Sequence, residues 1–339
     1  MIVLGIETTC DETSAAVVAS GPQLLAQTVL SQADEHGLFG GVVPEIASRS
    51  HVRELTAVIE RTLQQAEVEP HQLTAIAVAH RPGLIGALLV GVTTAKSLAW
   101  AWDKPLVAVH HLEAHLEAPL LSEDASPISM APPYLGVVLS GGHTDLYHVK
   151  KGDSRSRIGA TRDDAVGEAF DKVAAILGLG YPGGPAVEKK AHQGDRSAVD
   201  LPRTLLEPDS LDFSFSGLKT AVLYRWRGQN AQRSGPHPDA PSVEDLCASF
   251  QAAVSDVLIE KLKRALDQTG LKTVVFGGGV TANQTLRDDL EGALSTRAQL
   301  VFPPRRFSTD NGAMIAARGL RLFEQGQTST LDLEPKATP

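Results

Sequence analysis

Cysteine and long apolar runs are the two features that this sequence most clearly lacks. The chain has only two cysteines, Cys10 and Cys247, which excludes a disulfide framework and is typical of a reducing cytosol. No apolar run approaches the ~18 residues that a membrane-spanning helix needs. The first residues, MIVLGIETT, lack a basic region and a cleavage site, so we expect a strand there and not a signal peptide. These absences predict a cytoplasmic globular protein.

Positive charge is also scarce. The sequence has 31 Lys and Arg against 40 Asp and Glu, which gives a formal charge of −9. A protein that holds nucleic acid by itself usually has a basic face or stripe. The basic clusters here are short pairs: Lys150-Lys151, Lys189-Lys190 and Arg305-Arg306. If the substrate is a nucleic acid, we expect partner proteins to help hold it.

One pattern of secondary structure occurs twice along the chain. Residues 2–7 and 134–139 are apolar strands, and each is followed by a polar turn, a returning strand and then helices that alternate with strands. This weak internal repeat predicts two lobes, each a mixed α/β layer. The two polar turns would face each other across a cleft, and such clefts are favoured ligand sites.

Two polar segments set the predicted domain boundaries. Residues 122–133 are Pro-rich and link the lobes, and residues 228–241 form a second exposed connection. We therefore expect one lobe over residues 1–121 and another over residues 134–325. The remaining residues, 326–339, are polar and are predicted to be a loose tail.

Residue patterns also predict the individual elements. Further strands are expected at residues 14–19, 73–80, 105–110, 146–150, 273–276 and 299–302. Helices are expected at residues 44–65, 83–102, 163–178, 184–193, 242–270 and from about Asn311. Pro44 suits the first turn of its helix, and Ser242 with Asp245 forms a capping signal.

The segment HLEAH is the most informative motif. His111 and His115 are four residues apart, so on a helix both rings lie on one face and can reach one ion. Glu113 lies roughly 200° around the helix from His111. A zinc protease of the H-E-x-x-H type needs its glutamate beside the first histidine, and this chain does not place one there. The motif therefore predicts a metal that binds and polarises a substrate.

A carboxylate near the last helix could complete the metal site. Asp310 lies in the segment TDNGAM, just before the helix begins. An aspartate there is most often a helix cap. Together with His111 and His115, it would form a two-histidine, one-carboxylate set that suits ferrous iron and also zinc.

The two polar turns carry further candidates. The first, TTCDET, contains the carboxylates Asp11 and Glu12. The second, SGGHT, contains Ser140, Gly141 and Gly142, whose backbone N–H groups suit a phosphate or a polarised carbonyl. A Gly-Gly hairpin alone is usually a tight turn, but related turns at the same place in both lobes favour a binding role.

Two more glycine-rich segments precede helices. YPGGP places Gly184 near a helix N-terminus, where an anion or nucleotide can bind, although a plain loop is the common alternative. GGG, at residues 277–279, follows a buried strand but lacks the spacing of a dinucleotide fingerprint. Asn283 could bind a sugar or base, or it could simply cap its helix.

Eight motifs occur in an order that resembles a known family. They are GIETTCDET, GGVVPEIASRSH, HHLEAH, LSGGHT, GEAFDKVAAILGLGYPGGP, DFSFSGLKT, GGGVTANQTLR and STDNGAMIA. Together they cover about residues 1–325 and resemble the TsaD family of tRNA threonylcarbamoyl transferases.

The resemblance implies a two-lobed, actin-like and sugar-kinase-like fold with nucleotide in the interlobe cleft. It implies transfer of a threonylcarbamoyl group from threonylcarbamoyl-AMP to the exocyclic amine of the adenosine 3′ of the anticodon, in tRNAs that read codons starting with A. In bacteria the family works with a TsaB-like paralogue and a TsaE-like ATPase, while TsaC-type enzymes make the intermediate.

The resemblance also assigns residues. The family's metal ligands fall on His111, His115 and Asp310, with Fe²⁺ expected and Zn²⁺ as the second choice. Its acidic N-terminal turn falls on Asp11 and Glu12. Its carbamoyl-adenylate contacts fall on Val138, Leu139, Ser140, Gly141, Gly142, Asp171, Gly184 and Asn283. Glu188 stands where many members have an aspartate that holds the ribose. Arg81 stands at the first glycine of the family's Gly-Pro-Gly.

Three other functions stay open from the residues themselves. A small-molecule kinase of the same fold class would share the two polar turns, TTCDET and SGGHT, but would not need the histidine pair. A zinc protease is disfavoured by the position of Glu113. A non-catalytic scaffold should have lost the metal set, which this chain keeps.

Overall fold

The computed structural model describes residues 1–122, 130–229 and 235–338. Both predicted connections fall partly in the gaps between these ranges. Their residues 123–129 and 230–234 therefore lie outside the described residues.

The chain divides into two compact units. The first unit combines Met1–Met130 with Pro303–Pro339, and the second unit is Ala131–Phe302. Each unit contains a five-stranded sheet with helices packed on it, which confirms the predicted mixed α/β class.

The elements follow each other along the chain in nearly the predicted order. The first part contains β1 (Ile2–Glu7), β2 (Glu12–Ala19), β3 (Gln23–Ser31), α1 (Ala33–Gly37), α2 (Pro44–Ala66), β4 (Ala75–Arg81), α3 (Ile85–Ala101), β5 (Leu106–His110) and α4 (His111–Ala114). The second part contains β6 (Tyr134–Leu139), β7 (Thr144–Val149), β8 (Arg155–Ala160), α5 (Val166–Leu177), α6 (Gly183–Ala191), α7 (Ser216–Arg227), α8 (Val243–Thr269), β9 (Thr273–Gly277), α9 (Gln284–Leu294) and β10 (Gln299–Val301). The last helix is α10 (Gly312–Glu324).

The two sheets have the same topology, which confirms the predicted internal repeat. The first sheet has the order β3-β2-β1-β4-β5, and the second has the order β10-β9-β6-β7-β8. In each sheet the first three strands are antiparallel, and the two later strands lie parallel to the first one. The carboxyl ends of the parallel strands therefore lie at one edge of each sheet, which is the edge that binds ligands in open α/β sheets.

Both faces of β1 are buried, which is why this strand is a nearly continuous apolar run. Val3 belongs to the core beneath α10, whereas Leu4 and Ile6 belong to the core beneath α2 and α3. Gly5 lies so close to α10 that a Cβ atom there would overlap the backbone of this helix. This close approach fixes the position of the segment that precedes α10.

The last helix differs from the predicted domain boundary. We expected residues 134–325 to form one lobe, but the segment from Pro303 onward belongs to the first unit. The reason is packing: Met314, Ile315 and Leu320 of α10 close the apolar face of the first sheet. A boundary drawn from sequence order alone cannot detect this return of the chain.

The polar tail is not loose where the structure describes it. Ser329 pairs with Leu106 at the edge of β5. Lys336 N–H donates to the His80 carbonyl, and Ala337 accepts from Gly83 N–H. The prediction of a loose tail is wrong for these residues, because strand-edge and loop groups of the first unit hold them.

Four elements were absent from the sequence prediction: β3, β8, α1 and α7. β3 and β8 are half-exposed, and their apolar residues do not alternate strictly with polar ones. Among the described residues, no helix combines the length and the apolar character that a membrane span requires.

Candidate functional site

The histidine pair lies at the carboxyl end of β5. This strand ends at His110, and α4 begins at His111 and makes a single turn. The ring centroids of His111 and His115 are 4.8 Å apart. His115 is fully buried and His111 is 6% exposed. The predicted pairing of the two rings on one helical turn is therefore confirmed.

Asp310 joins the two histidines. Its Oδ1 atom lies 3.6 Å from His111 Nε2 and 3.2 Å from His115 Nε2. The alternative role of Asp310 as a helix cap is wrong, because the side chain of Asn311 accepts the Met314 N–H and caps α10. The packing of α10 on the first sheet brings Asp310 to the histidines. The three residues could hold one metal ion.

The donor set fits a divalent metal. Ligand atoms that each lie about 2.1 Å from one ion are about 3.4 Å apart at a tetrahedral angle, which agrees with the separations of Asp310 from the two imidazoles. His115 is buried, and its Nε2 contact with Asp310 Oδ1 lacks the geometry of a hydrogen bond, so neither ring nitrogen makes one within the described part of the chain. An ion would give Nε2 of His115 the partner that a buried polar atom requires.

Glu7 is a site residue that the sequence analysis missed. Its Oε2 atom lies 2.9 Å from His111 Nδ1, and its Oε1 atom accepts the Thr9 N–H at 2.5 Å. Glu7 is fully buried at the end of β1. Because a carboxylate only accepts, it holds His111 with Nδ1 protonated and directs Nε2 toward Asp310. The available signal was a glutamate that ends an otherwise apolar strand.

Negative charge concentrates around this group. Burial opposes the charged form of His111, but the carboxylates of Asp310 and Glu7 raise its pKa to about 9. Burial, followed by the charges of Asp310 and Asp11, raises the pKa of Glu12 well above its usual range. The acidic turn between β1 and β2 thus lies close to Asp310. A divalent cation would offset this like-charge repulsion.

Glu113 points away from the histidine pair, as the helical spacing predicted. Its Oε2 atom accepts from Arg318 Nη2 at 2.8 Å. Arg318 lies on α10 and is 5% exposed. The glutamate of this motif is therefore an ion-pair partner between α4 and α10, which argues against the protease alternative.

The second unit carries the other polar turn. It lies between β6 and β7, where Ser140 N–H donates to the His143 carbonyl and closes a tight turn. Val138 and Leu139 are fully buried, so only their backbone can meet a ligand. Gly141 and Gly142 face open space within this unit's own surroundings. The turn is thus a tight hairpin at the end of β6.

A second glycine segment lies beside this turn. Val138 on β6 pairs with Gly277 on β9. Gly278, which has a φ of +95°, lies so close to Leu139 that a Cβ atom would overlap the Leu139 backbone. This position combines a left-handed conformation with a close approach, and both require glycine. The two glycine-rich segments therefore meet at the carboxyl ends of two neighbouring strands.

The remaining predicted contacts connect helix ends in the second unit. Asp171 Oδ1 accepts the Gly183 N–H at 2.8 Å at the start of α6, directly before Gly184. Glu188 Oε1 accepts the Gln284 N–H at 2.7 Å at the start of α9. These carboxylates thus hold the N-termini of α6 and α9.

Asn283 takes the role that the sequence analysis named as its alternative. Its Oδ1 atom accepts the Leu286 N–H at 2.9 Å and caps α9. Its Nδ2 atom donates to Gln251 Oε1 at 2.9 Å. A direct contact between Asn283 and a ligand stays a prediction.

Solved structures share the fold of this chain at low sequence identity. Component A of the (R)-2-hydroxyglutaryl-CoA dehydratase of Acidaminococcus fermentans is 13% identical with a TM-score of 0.52, covering 95% of this chain and 98% of that one. HypF of T. kodakarensis is 13% identical with a TM-score of 0.61, covering 96% of this chain and 48% of that one. These likenesses concern the fold alone, and they confirm the actin-like, sugar-kinase-like class.

Sequence comparison is more specific. The profile described as "TsaD: tRNA N6-adenosine threonylcarbamoyltransferase" matches residues 23–317. A protein of Bacillus thuringiensis (strain Al Hakam) with the name tRNA N6-adenosine threonylcarbamoyltransferase is 50% identical over 334 residues, which is 98% of this chain and 94% of the relative. The chain therefore belongs to the TsaD family of tRNA-modifying transferases.

Proposed function

We propose that the chain transfers a threonylcarbamoyl group from threonylcarbamoyl-AMP to the exocyclic amine of the adenosine 3′ of the anticodon, in tRNAs that read codons starting with A. The amine nitrogen bonds to the carbamoyl carbon, the bond from that carbon to the AMP phosphate oxygen breaks, and the amine loses a proton. The observation that carries this proposal is the convergence of His111, His115 and Asp310 in a chain of this family.

His111, His115 and Asp310 would hold a divalent cation, which we infer to be Fe²⁺, with Zn²⁺ as the second choice. Two imidazoles and one carboxylate with open positions are the ligand set of many ferrous sites, and they also suit zinc. When bound, the ion supplies a Lewis acid that polarises a substrate oxygen. Glu7 keeps His111 in the tautomer that such an ion requires.

The turn at residues 140–142 would meet the growing negative charge of the reaction. A Cβ atom on Gly141 or Gly142 would meet nothing within 4 Å, and neither residue has a side chain to obstruct a ligand, so we infer that their backbone N–H groups are the donors. Donors that are already in place stabilise a transition state without a cost of reorganisation. Val138 and Leu139 would contribute backbone groups and shape, since their side chains are buried.

The AMP part would contact Asp171, Gly184, Glu188 and Asn283. Asp171 and Glu188 each use one oxygen for a backbone N–H group. A carboxylate offers about four acceptor positions, so each can also accept from a ribose hydroxyl. Gly184 adds a helix N-terminus, which favours a phosphate.

Asp11 and Glu12 would accept the proton of the amine or order the surroundings of the cation. The charges that raise the pKa of Glu12 include those of both Asp310 and Asp11. Glu12 thus interacts electrostatically with Asp310, one of the candidate metal ligands. Replacing each carboxylate by its amide tests these roles, because an amide keeps the shape and loses the basicity and the negative charge.

We infer that the chain binds tRNA together with a TsaB-like paralogue and a TsaE-like ATPase, in the cytoplasm. Because the net charge of −9 opposes contact with the tRNA phosphates, we expect the partner proteins to contribute to tRNA binding. Helices α2 and α3 expose the large apolar side chains of Val52, Ile85, Leu89 and Trp100. Exposed apolar residues on neighbouring helices are typical of protein contacts. Both cysteines are free, as is usual in a reducing compartment.

Reconstitution tests this function directly. The chain is mixed with the partner proteins, tRNA, threonine, bicarbonate and ATP, and the tRNA nucleosides are then measured by mass spectrometry. We expect threonylcarbamoyladenosine next to the anticodon, and none when this chain is left out. Rapid release of ADP from ATP and a small metabolite, without modified tRNA, would instead identify a kinase.

A further inference from the structure

A buried histidine on α2 holds both sides of the acidic turn. His51 is fully buried. Its Nε2 atom lies 3.0 Å from the Cys10 carbonyl oxygen, and its Nδ1 atom lies 2.7 Å from Thr13 Oγ1. Cys10 and Thr13 directly flank Asp11 and Glu12 in the sequence. One imidazole ring therefore bonds to the residue before the acidic pair and to the residue after it.

The partners of His51 define its tautomer. A carbonyl oxygen can only accept, so Nε2 carries the proton and donates to Cys10. Nδ1 then accepts from the Thr13 hydroxyl. Burial lowers the pKa of His51, against the bond to Cys10 and the charges of Glu7 and Asp11, while nearby His36 lowers it further. The neutral ring is thus the form that fits this position.

Gln32 completes the support of the turn. Its backbone N–H donates to the Asp11 carbonyl at 2.9 Å. Its side chain lies 3.5 Å from His51 Nδ1 and 3.1 Å from His36 Nε2. His36 Nδ1 in turn accepts the Val43 N–H at the start of α2. Buried polar networks with satisfied members hold one arrangement rigidly.

We propose that His51 is a positioning residue that fixes the acidic turn through Cys10 and Thr13, so that the carboxylates of Asp11 and Glu12 keep one orientation. This inference rests on the proposed function, because that function gives Asp11 and Glu12 their role. It also assigns a purpose to the motif GGVVPEIASRSH, whose last residue is His51. His51 acts through the turn and needs no contact with substrate.

Substitutions at His51 test the proposal in the reconstituted complex. His51→Leu removes both hydrogen bonds, and we expect kcat to fall about 10- to 100-fold, because misplacing a catalytic group by about 1 Å costs that much. KM for tRNA and the content of bound metal should change little, since neither the apolar surface of α2 nor the metal ligands are altered. His51→Gln can still donate toward Cys10, and it should recover most of the lost rate. His71→Gln, at an exposed histidine, is the matched control.

A pair of substitutions at Thr13 tests the same proposal even if the His51→Leu variant does not fold. Thr13→Val keeps the shape and loses the hydroxyl, whereas Thr13→Ser keeps the hydroxyl. We expect Thr13→Val to lower kcat more than Thr13→Ser, and to add little when combined with His51→Leu. Unchanged kcat in both His51→Leu and Thr13→Val would overturn the proposal. Equal losses of kcat, metal and thermal stability would also overturn it, by showing a general structural role.

Two further variants separate this inference from the proposed function. Asp11→Asn and Glu12→Gln should each lower kcat if the acidic turn takes part in the reaction. If they do so while the His51 and Thr13 variants keep full activity, only the positioning role fails. If both amide variants keep full activity, the role given to the acidic turn fails with it.

Discussion

At the residue scale, the side chains of this site are oriented by specific partners. His111 directs its Nε2 atom toward Asp310, while its Nδ1 atom bonds to Glu7. Glu113 points away from the histidine pair and forms an ion pair with Arg318. The sequence predicted the pairing of His111 and His115 because their four-residue spacing is a local signal, whereas Asp310 was assigned through the resemblance to the TsaD family. It did not predict Glu7, because its contact with His111 depends on how β1 and β5 are placed in the sheet.

Removing one histidine should remove metal and activity together. We expect His111→Ala to lower bound metal and transferase turnover in parallel, since one imidazole and one carboxylate rarely hold such an ion alone. Metal is measured by elemental analysis and turnover by nucleoside mass spectrometry. His71→Ala, at an exposed position, should change neither. Turnover that survives the loss of metal would remove the ion from the reaction.

Asp145 should make stability depend on pH. This buried residue on β7 has its Oδ1 atom 3.7 Å from Arg157 Nη1. Burial raises its pKa to about 6, although Arg157 and Tyr147 act in the other direction. The unfolded value is about 3.9, so the folded state binds more protons between these values. The contribution of Asp145 to the free energy of unfolding is therefore highest below about pH 4, and this contribution is lost as the pH rises through about 6.

Asp145→Asn tests this contribution. The amide carries no charge, so we expect the variant to gain up to ~3 kcal/mol of unfolding free energy at neutral pH relative to the natural chain, and less in acid. Chemical denaturation across this pH range measures the difference. Asp209→Asn, at an exposed aspartate of the same unit, is the control. A difference that does not vary with pH would contradict the assignment.

At the scale of elements, α10 contributes both to the core of the first unit and to the position of the candidate metal ligand Asp310. It covers one face of the first sheet, and its capping residue Asn311 follows Asp310 directly. The periodic helices and the apolar strands were predictable, because burial of one or both faces leaves a clear pattern. The half-exposed strands β3 and β8 were not, since their residues neither alternate nor form an apolar run.

Gly5→Ala should disturb this helix. A Cβ atom on Gly5 would overlap the backbone of Gly312 and Ala316, so α10 must shift. We expect unfolding free energy to fall by about 1–3 kcal/mol, as in other overpacked cores, and metal affinity to fall with it because Asp310 moves. Calorimetry and a metal titration measure these effects.

Gly292→Ala provides the control for this substitution. A Cβ atom on Gly292 would meet nothing within 4 Å on the exposed face of α9. The variant should gain roughly 0.5–1 kcal/mol, because alanine favours a helix more than glycine does. If Gly5→Ala gains stability in the same way, the close packing of α10 on β1 is not a constraint.

At the scale of the whole molecule, the division into two units does not follow the order of the sequence. The first unit needs residues from both ends of the sequence, whereas the second is continuous. The repeated strand order could be anticipated from two similar patterns. The return of the last helix could not, because no local pattern reveals which sheet a helix covers.

Fragments should show this difference. We expect residues 131–302 to unfold cooperatively by themselves, because their core is their own. Residues 1–130 alone should not, because without Phe307, Met314 and Leu320 one face of their sheet stays open. Joining residues 303–339 to residues 1–130 through a flexible linker should restore a cooperative transition. Circular dichroism during heating distinguishes these outcomes, and a cooperative transition of residues 1–130 alone would contradict the account.

The return of the chain also sets the timing of assembly during translation. At about 5–20 residues per second, a ribosome makes Asp310 roughly 10–40 s after His115. During this delay the two histidines are present without their carboxylate, and α10 does not yet exist to seal the sheet above them. An ion that needs all three residues could therefore be held only late in synthesis, after the intervening unit has been made.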